Sequence, residues 1–309
     1  MKYLFKNPMV IVLVVALSLL VSCEDDTVVD QGPQTIAEIA VADTQFSTLV
    51  AALTKADLVS VLEGTDTYTV FAPTNAAFDA LLNELGASSL DDLSKEALTP
   101  ILLNHVIAGE FKSTDLSTGY VTTASNAGPN SRNLNVFIKV EGGVVVNRNV
   151  TVTSPDIIAS NGVIHVVNKV ILPTDVVDIA SNDDNFSSLV GALVAADGDL
   201  VNVLKGDGPF TVFAPVNSAF EEISTVVNGL SSSELSDVLQ YHVVAGANVR
   251  AGDLSDGMVV NTLTGTFTVN ISGTSVTLTD ESGATVNVIA TDVQGTNGVV
   301  HVIDKVLLK

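Results

Sequence analysis

The residues of this sequence best suited to chemistry are four histidines, which are His105, His165, His242 and His301. An imidazole titrates near neutral pH and often ligates metals, so two histidines close together could hold an ion or act as base and ligand. Each one, however, follows or interrupts an apolar run, as in LLNHVI (residues 102–107) and VIHVV (163–167). This context favours a buried imidazole, held by backbone or carboxylate hydrogen bonds, over a metal ligand.

Other catalytic signatures do not occur in the sequence. It has no Gly-x-Ser-x-Gly elbow, His-Glu-x-x-His pair, Walker loop or dinucleotide fingerprint. The acidic segments 182–184 (NDD) and 197–199 (DGD) lack the ligand spacing of a calcium loop, so we expect turns or helix caps there. Trp is absent and Tyr is scarce, so an aromatic platform for sugars has no obvious candidate. The sequence predicts no catalytic residue, metal site or cofactor.

The N-terminal segment has the organisation of an export signal. Lys2 and Lys6 precede an apolar run from Met9 to Leu20. A run of about a dozen residues is shorter than the roughly 20 that a membrane-spanning helix requires. Residues 20–23 (LVSC) resemble the lipobox of bacterial lipoproteins. This resemblance implies that residues 1–22 are a signal peptide and that Cys23 is lipidated, which would make the membrane a partner.

Cys23 is the sole cysteine, so the exported part has no thiol left for a disulfide, a thiolate metal site or a nucleophile. Residues 23–34 are polar, contain Gly32 and Pro33, and are predicted to form a tether. The acidic cluster directly behind Cys23 resembles the surface-export signal of Bacteroidota lipoproteins. It implies an outer-membrane lipoprotein exposed at the cell surface, with the periplasmic face as the alternative.

The charge balance excludes one class of partner. The chain has 13 basic and 35 acidic residues, and loss of residues 1–22 would leave 11 basic residues and a net charge of −24. A nucleic-acid-binding protein needs Lys and Arg to neutralise phosphates, and no basic run or stripe occurs here. We therefore expect no nucleic acid as partner. The acidity is typical of a solvated surface, although it could also bind calcium.

An internal repeat organises the rest of the chain. Residues 69–78 (TVFAPTNAAF) recur as 211–220 (TVFAPVNSAF), identical at eight of ten positions. Residues 161–172 (NGVIHVVNKVIL) recur as 297–308 (NGVVHVIDKVLL), identical at eight of twelve. The copies are 136 to 142 residues apart, which is far longer than a solenoid unit. The sequence therefore predicts two similar domains, residues 35–173 and 174–309.

Each copy changes its hydrophobic period halfway along. Residues 36–53 have apolar side chains at three- and four-residue steps, which predicts helices. The first repeated block predicts a strand that is ended by proline and followed by a helix that Asn75 can cap. Farther along the second copy, Ser231 and Glu234 have the spacing of a capping box, which predicts another helix start. Hairpins are predicted about Gly142-Gly143 and about Gly273. Helices first and strands afterwards indicate the α+β class.

The repeated blocks resemble the fasciclin (FAS1) domain family, which also has a Tyr-His or Asn-His pair between them. Here those pairs are Asn104-His105 and Tyr241-His242, and the closing blocks contain His165 and His301. The resemblance implies two tandem β-wedge domains, each with helices packed on one side of two antiparallel-rich sheets. We expect these six motif residues to be structural. In the family the Tyr-His region has been implicated in adhesion to animal receptors, and Asn104 departs from the tyrosine form.

Three classes of function follow from these observations. The favoured one is a non-enzymatic cell-envelope adhesion or interaction lipoprotein that binds extracellular or envelope ligands, protein or glycan. The alternative is a glycan-binding accessory protein of the surface, which a groove with exposed aromatic side chains would favour. A metal-dependent enzyme is the least favoured, and a pocket gathering histidines and carboxylates would support it.

Overall fold

A computed structural model describes residues 32–64 and 66–309. The predicted signal peptide, the lipidation site Cys23 and the tether up to residue 31 lie outside the described residues. Within the described part, Pro33–Lys309 form one compact unit. No single helix there is long and apolar enough to cross a membrane, although Ile36–Ala42 and Thr44–Lys55 meet the criterion together across a 100° bend.

The first domain places its helices before most of its strands. Its helices are α1 (Ile36–Ala42), α2 (Ser47–Lys55), α3 (Val59–Leu62), α4 (Asn75–Leu85) and α5 (Lys95–Leu103). Its strands are β1 (Tyr68–Pro73), β2 (Val106–Ala108), β3 (Gly119–Thr122), β4 (Asn135–Val140), β5 (Val144–Val146), β6 (Val150–Ala159) and β7 (Gly162–Val167).

The second domain repeats this order. Its helices are α6 (Val176–Asn182), α7 (Ser187–Ala195), α8 (Leu200–Leu204), α9 (Asn217–Glu222), α10 (Ser224–Val227) and α11 (Ser232–Gln240). Its strands are β8 (Phe210–Pro215), β9 (Val243–Ala245), β10 (Val259–Asn261), β11 (Thr266–Ser272), β12 (Ser275–Thr279), β13 (Thr285–Gly295) and β14 (Gly298–Ile303).

The seven strands of each domain have the same order, β2-β1-β7-β6-β5-β4-β3 in the first and β9-β8-β14-β13-β12-β11-β10 in the second. The pairs β1–β7 and β8–β14 are parallel, and the other pairs are antiparallel. Two register shifts interrupt the pairing of β6 with β7. Such irregularities bend a strand, so one end of β6 pairs with β7 and the other with β5, which gives the predicted wedge.

Each domain has two hydrophobic cores, one on either side of β1 and β7 or of their counterparts. In the first domain, Val70 and Ile164 pack with the helices around Phe46 and Phe78. Phe71 points the other way, into a cluster inside the wedge. Because successive side chains of a strand alternate between faces, a strand covered on both faces must be apolar at every position. This explains the uninterrupted apolar runs around the closing histidines.

The structure confirms the α+β class, both hairpins and the capping box at Ser231. The capping role predicted for Asn75 was wrong, because Thr74 is the N-cap of α4 and accepts from the Ala77 amide. The Asn75 side chain instead accepts from the backbone nitrogen of Thr48 (2.9 Å) and donates to the Thr44 carbonyl. It thereby ties α4 to α2, a contact that adjacent sequence cannot reveal.

Candidate functional site

His105 is held where α5 ends and β2 begins, and it is almost fully buried. Its Nε2 accepts a hydrogen bond from the backbone nitrogen of Ile171 (2.8 Å). Its Nδ1 therefore carries the proton and donates it to the carbonyl oxygen of Ile101 (2.7 Å). Both ring nitrogens are occupied by backbone groups, so this imidazole has no free lone pair for a metal ion or a substrate proton.

His242 repeats this geometry in the second domain. Its Nδ1 donates to the carbonyl of Val238 (2.8 Å), and its Nε2 accepts from the backbone nitrogen of Leu307 (2.9 Å). Burial lowers the pKa of His105 and of His242 to about 4, because the charged imidazolium would lose its hydration. Both rings are therefore neutral at pH 7.

His165 and His301 lie in the central closing strands and are fully buried. The Nε2 of His165 donates to the Phe111 carbonyl (2.9 Å), and its Nδ1 accepts from the Asp156 backbone nitrogen (3.2 Å). The Nε2 of His301 donates to the Val249 carbonyl (2.8 Å), while its Nδ1 has no partner among the described residues. Burial lowers the pKa of both rings. They fix the chain that follows β2 or β9 to the sheet.

The residues paired with the histidines are also buried. The Asn104 side chain donates to the Ile171 carbonyl (3.3 Å) and accepts from the Thr123 hydroxyl (3.1 Å). The Tyr241 hydroxyl donates to the Thr266 carbonyl (2.5 Å), and burial raises the pKa of this phenol. Asn104 and Tyr241 thus occupy equivalent positions before the histidine, but their side chains form hydrogen bonds with different parts of the domain. The side chains of both pairs are therefore buried and hydrogen-bonded within their own domain.

A second group near His165 resembles a catalytic arrangement only in its residue types. The Ser113 hydroxyl donates to a carboxylate oxygen of Asp156 (2.6 Å), whose other oxygen is 3.9 Å from His165 Nδ1. The hydrogen bond from the Ser113 side chain is the largest effect that lowers the pKa of Asp156. In a nucleophilic triad the histidine contacts the serine, whereas here the carboxylate stands between them. Ser113 is therefore not activated, and Asp156 anchors a loop.

No group of three or more His, Cys, Asp or Glu side chains that could hold a metal ion is present in residues 32–64 and 66–309. Two open clefts lie elsewhere. One, of ≈530 Å³, lies among α7, α9, α10 and the start of α11. The other, of ≈450 Å³, is lined by α4, the β5–β6 loop, residues 169–174 and α6. Neither lining includes a histidine or an exposed aromatic ring among the described residues, so neither matches the expectations for an enzyme or for an aromatic sugar platform.

The sequence analysis missed two asparagines, one in each domain, that connect distant parts of their domain. The Asn161 side chain accepts from the backbone nitrogen of Ile36 (2.8 Å) and donates to the Leu62 carbonyl (2.8 Å). Asn297 does the same for Val176 (3.1 Å) and Leu204 (2.8 Å). Their repetition directly before a glycine was the available signal. In the acidic segment 182–184, Asp183 is a helix cap as predicted, since its side chain accepts from the backbone nitrogen of Asn185 (3.0 Å). The segment also contacts the first domain, which the sequence did not indicate.

Comparison with known sequences decides the family. The profile of the Fasciclin domain matches residues 44–173 and again residues 184–309. This chain belongs to the fasciclin domain family. Because the two matches cover most of the chain, the resemblance carried by the Phe-Ala-Pro and closing blocks is confirmed.

Similar fasciclin proteins occur in bacteria and animals. Protein sll1483 of Synechocystis sp. is 42% identical over 163 residues, which are 52% of this chain and 87% of that protein. Human periostin is 30% identical over 254 residues, and the transforming growth factor-beta-induced protein ig-h3 of Sus scrofa is 33% identical over 255. Both matches cover 80% of this chain but only 29% and 35% of those longer proteins.

A solved structure has the same fold. It is the FAS1 domain pair from the insect cell adhesion molecule fasciclin I, which matches with a TM-score of 0.50 and 19% identity. The alignment covers 88% of this chain and 96% of that one. At this identity the likeness establishes tandem fasciclin domains, and function has to be argued separately.

Proposed function

We propose that this fasciclin protein is a non-enzymatic adhesion or interaction protein of the cell envelope, which binds extracellular or envelope ligands. The observation that carries the proposal is the membership of both halves in a family whose proteins are typically adhesion-related. The burial of the four histidines adds support, because each ring is hydrogen-bonded to a backbone group of the same domain. The ligand then contacts the surface of the fasciclin domains, and the Tyr-His or Asn-His pairs stabilise that surface from beneath.

The proposal is tested with the chain from residue 23 onward, offered to immobilised glycans, matrix proteins and envelope fractions at low and high density. We expect saturable retention without conversion of the ligand, and slower dissociation from the dense surfaces. Two binding domains that engage together can raise the overall affinity by ~10²–10⁴. Retention should be unchanged by a chelator. Metal-dependent turnover of any substrate, abolished by one His or Asp replacement, would contradict the proposal.

Anchoring at the outer membrane is a separate part of the proposal and rests on the lipobox at residues 20–23. The substitution Cys23→Ala removes the acceptor thiol, so we expect the protein to leave the membrane fraction or to keep its signal peptide. The measurement is fractionation of cells followed by mass determination. Val28→Ala, within the predicted tether, is the matched control and should remain membrane-bound. Membrane retention of a processed Cys23→Ala protein would contradict lipid anchoring.

Exposure at the cell surface is the further step, and it is tested by adding protease to intact cells. We expect digestion of the fasciclin domains without lysis, because the acidic residues behind Cys23 resemble a surface-export signal. Complete protection until the outer membrane is opened would favour the periplasmic face.

A further inference from the structure

The outer face of β3 and β4 is buried although it points away from the core of its own domain. Val136 and Ile138 are in the cluster inside the wedge, so Phe137, between them, faces outward. Phe137 is nevertheless only 6% exposed. Its ring lies 5.0 Å from that of Tyr120, centroid to centroid, and Tyr120 packs against the helix-side core of the second domain. Strand β4 contacts α6 and β13. The second domain therefore covers this face.

Polar contacts surround the two aromatic rings. The Tyr120 hydroxyl donates to the buried carboxylate of Asp183 (3.1 Å). The backbone nitrogen of Gln294, a fully buried residue of β13, donates to the Asn135 side chain (2.8 Å). The Lys139 ammonium lies 3.0 Å from Asp184, and this pair is solvent-exposed. An apolar centre within a polar rim is the usual organisation of a protein interface.

Arg148 adds a second cation to the rim. Its guanidinium donates to the Ser181 carbonyl (3.0 Å) at the end of α6 and lies 3.5 Å from Asp184. Exposed ion pairs of this kind contribute little to stability, because water and salt screen the charges. The aromatic contact and the buried hydrogen bonds therefore supply most of the stability of the junction, and the charges select the orientation.

The equivalent face of the second domain is different. Across β10 and β11, Val259 faces Thr268 in the register at which Tyr120 faces Phe137 in the first domain. Val259 is exposed and Thr268 is half-buried, and neither residue of this pair has an aromatic side chain. The same contrast holds for Gln294 of the second domain. Its counterpart in the first domain is Ile158, at the same position before the β6–β7 turn. Ile158 is exposed, whereas Gln294 is buried. The two faces in contact have thus diverged from their copies in ways that suit each other.

We propose that the outer face of β3–β4, formed by Tyr120, Phe137 and Lys139, is an interaction surface together with Arg148 of the β5–β6 turn, and that its partner is the second domain of the same chain. The chain then acts as one rigid pair, and it presents the surfaces of both domains at a fixed spacing and orientation. This inference goes beyond the proposed function and does not depend on any ligand.

The distance distribution between two spin labels tests it directly. The chain from residue 23 onward, carrying Cys23→Ser, retains the whole compact unit Pro33–Lys309. Labels are attached through Asp79→Cys in α4 and Glu221→Cys in α9, which are exposed and correspond in the two domains. We expect one narrow distance peak. Phe137→Asp should replace it with a broad distribution, because it buries a charge at the centre of the junction. Asp184→Lys should broaden the peak less, because the like charges that it brings together at the rim are exposed.

Matched controls separate this effect from general destabilisation. Thr268→Asp changes the equivalent outward position of the second domain, and Asp178→Lys removes the exposed pair with Lys205 (2.9 Å) inside that domain. Both should keep the narrow peak, and circular dichroism should show all variants folded. A broad distribution in the parent chain, or a narrow peak in both Phe137→Asp and Asp184→Lys, would overturn the inference. Neither result depends on ligand binding, so failure here is distinct from failure of the proposed function.

Discussion

Gly162→Ala is expected to unfold the first domain, with a loss of free energy of unfolding above roughly 4 kcal/mol. Gly162 has φ +143°, a conformation that residues with a side chain rarely adopt. A Cβ built there would lie 1.9 Å from the Tyr68 carbonyl oxygen. Gly162 pairs with Tyr68 where the parallel ladder between β1 and β7 begins. Relief of the clash would separate the two central strands and open both cores beside them.

Gly142→Ala is the matched control, because Gly142 also has a positive φ (+68°) but no atom within 4 Å of a built Cβ. Its cost should be only the ~1–2 kcal/mol of a left-handed residue with a side chain. Urea unfolding followed by circular dichroism measures both variants. Similar midpoints for the two would show that the contact with β1 does not restrict this position. Gly298→Ala should damage the second domain likewise, since its Cβ would lie 2.3 Å from the Phe210 carbonyl oxygen.

The second large effect expected is loss of stability in weak acid, between pH 6.5 and 4. The ordinary histidine pKa of 6.5 falls to about 4 for His105 and His242 in the folded chain. The unfolded chain therefore binds more protons throughout this window, and the free energy of unfolding falls as the pH falls. Each of the two rings should contribute about 1.4 kcal/mol per pH unit, or roughly 3 kcal/mol over the window. The measurement is urea unfolding at pH 7.5, 6.5, 5.5 and 5, above the range in which most carboxylates titrate.

His105→Gln separates the titration of this ring from its hydrogen bonds. At pH 7.5 the variant should be less stable by ~1–3 kcal/mol, because a backbone group of Ile101 or Ile171 loses its buried partner. Below pH 6.5, however, its stability should fall less steeply than that of the parent chain. The exposed site Ser88→Gln provides a control that should retain the full slope. If His105→Gln kept the full slope as well, His105 would not be a source of the acid sensitivity.

Much of the fold could be read from local sequence. The eight-of-ten and eight-of-twelve identities between the copies required two similar domains, and turn residues such as Gly142, Gly143 and Gly273 placed the hairpins. The capping box at Ser231 also depends only on residues three positions apart. The apolar neighbours of the histidines predicted burial, since an apolar run on both sides of a polar residue leaves it little access to water. Each of these features could be recognised from residues close in the chain or from comparison of the two copies.

Only the tertiary structure decided the contacts between residues that are distant in sequence. Asn75 connects α4 to α2, and Asn161 accepts a hydrogen bond from Ile36, which is 125 residues away. Both contacts depend on how the elements pack. The burial of Phe137 is the clearest case, because alternation along β4 correctly places its side chain outside the wedge. Whether an outward side chain meets water or another domain depends on the surface that reaches it. The sequence by itself therefore determined the repeat, the elements and their inward faces, whereas packing of the whole chain decided which outward faces remained free.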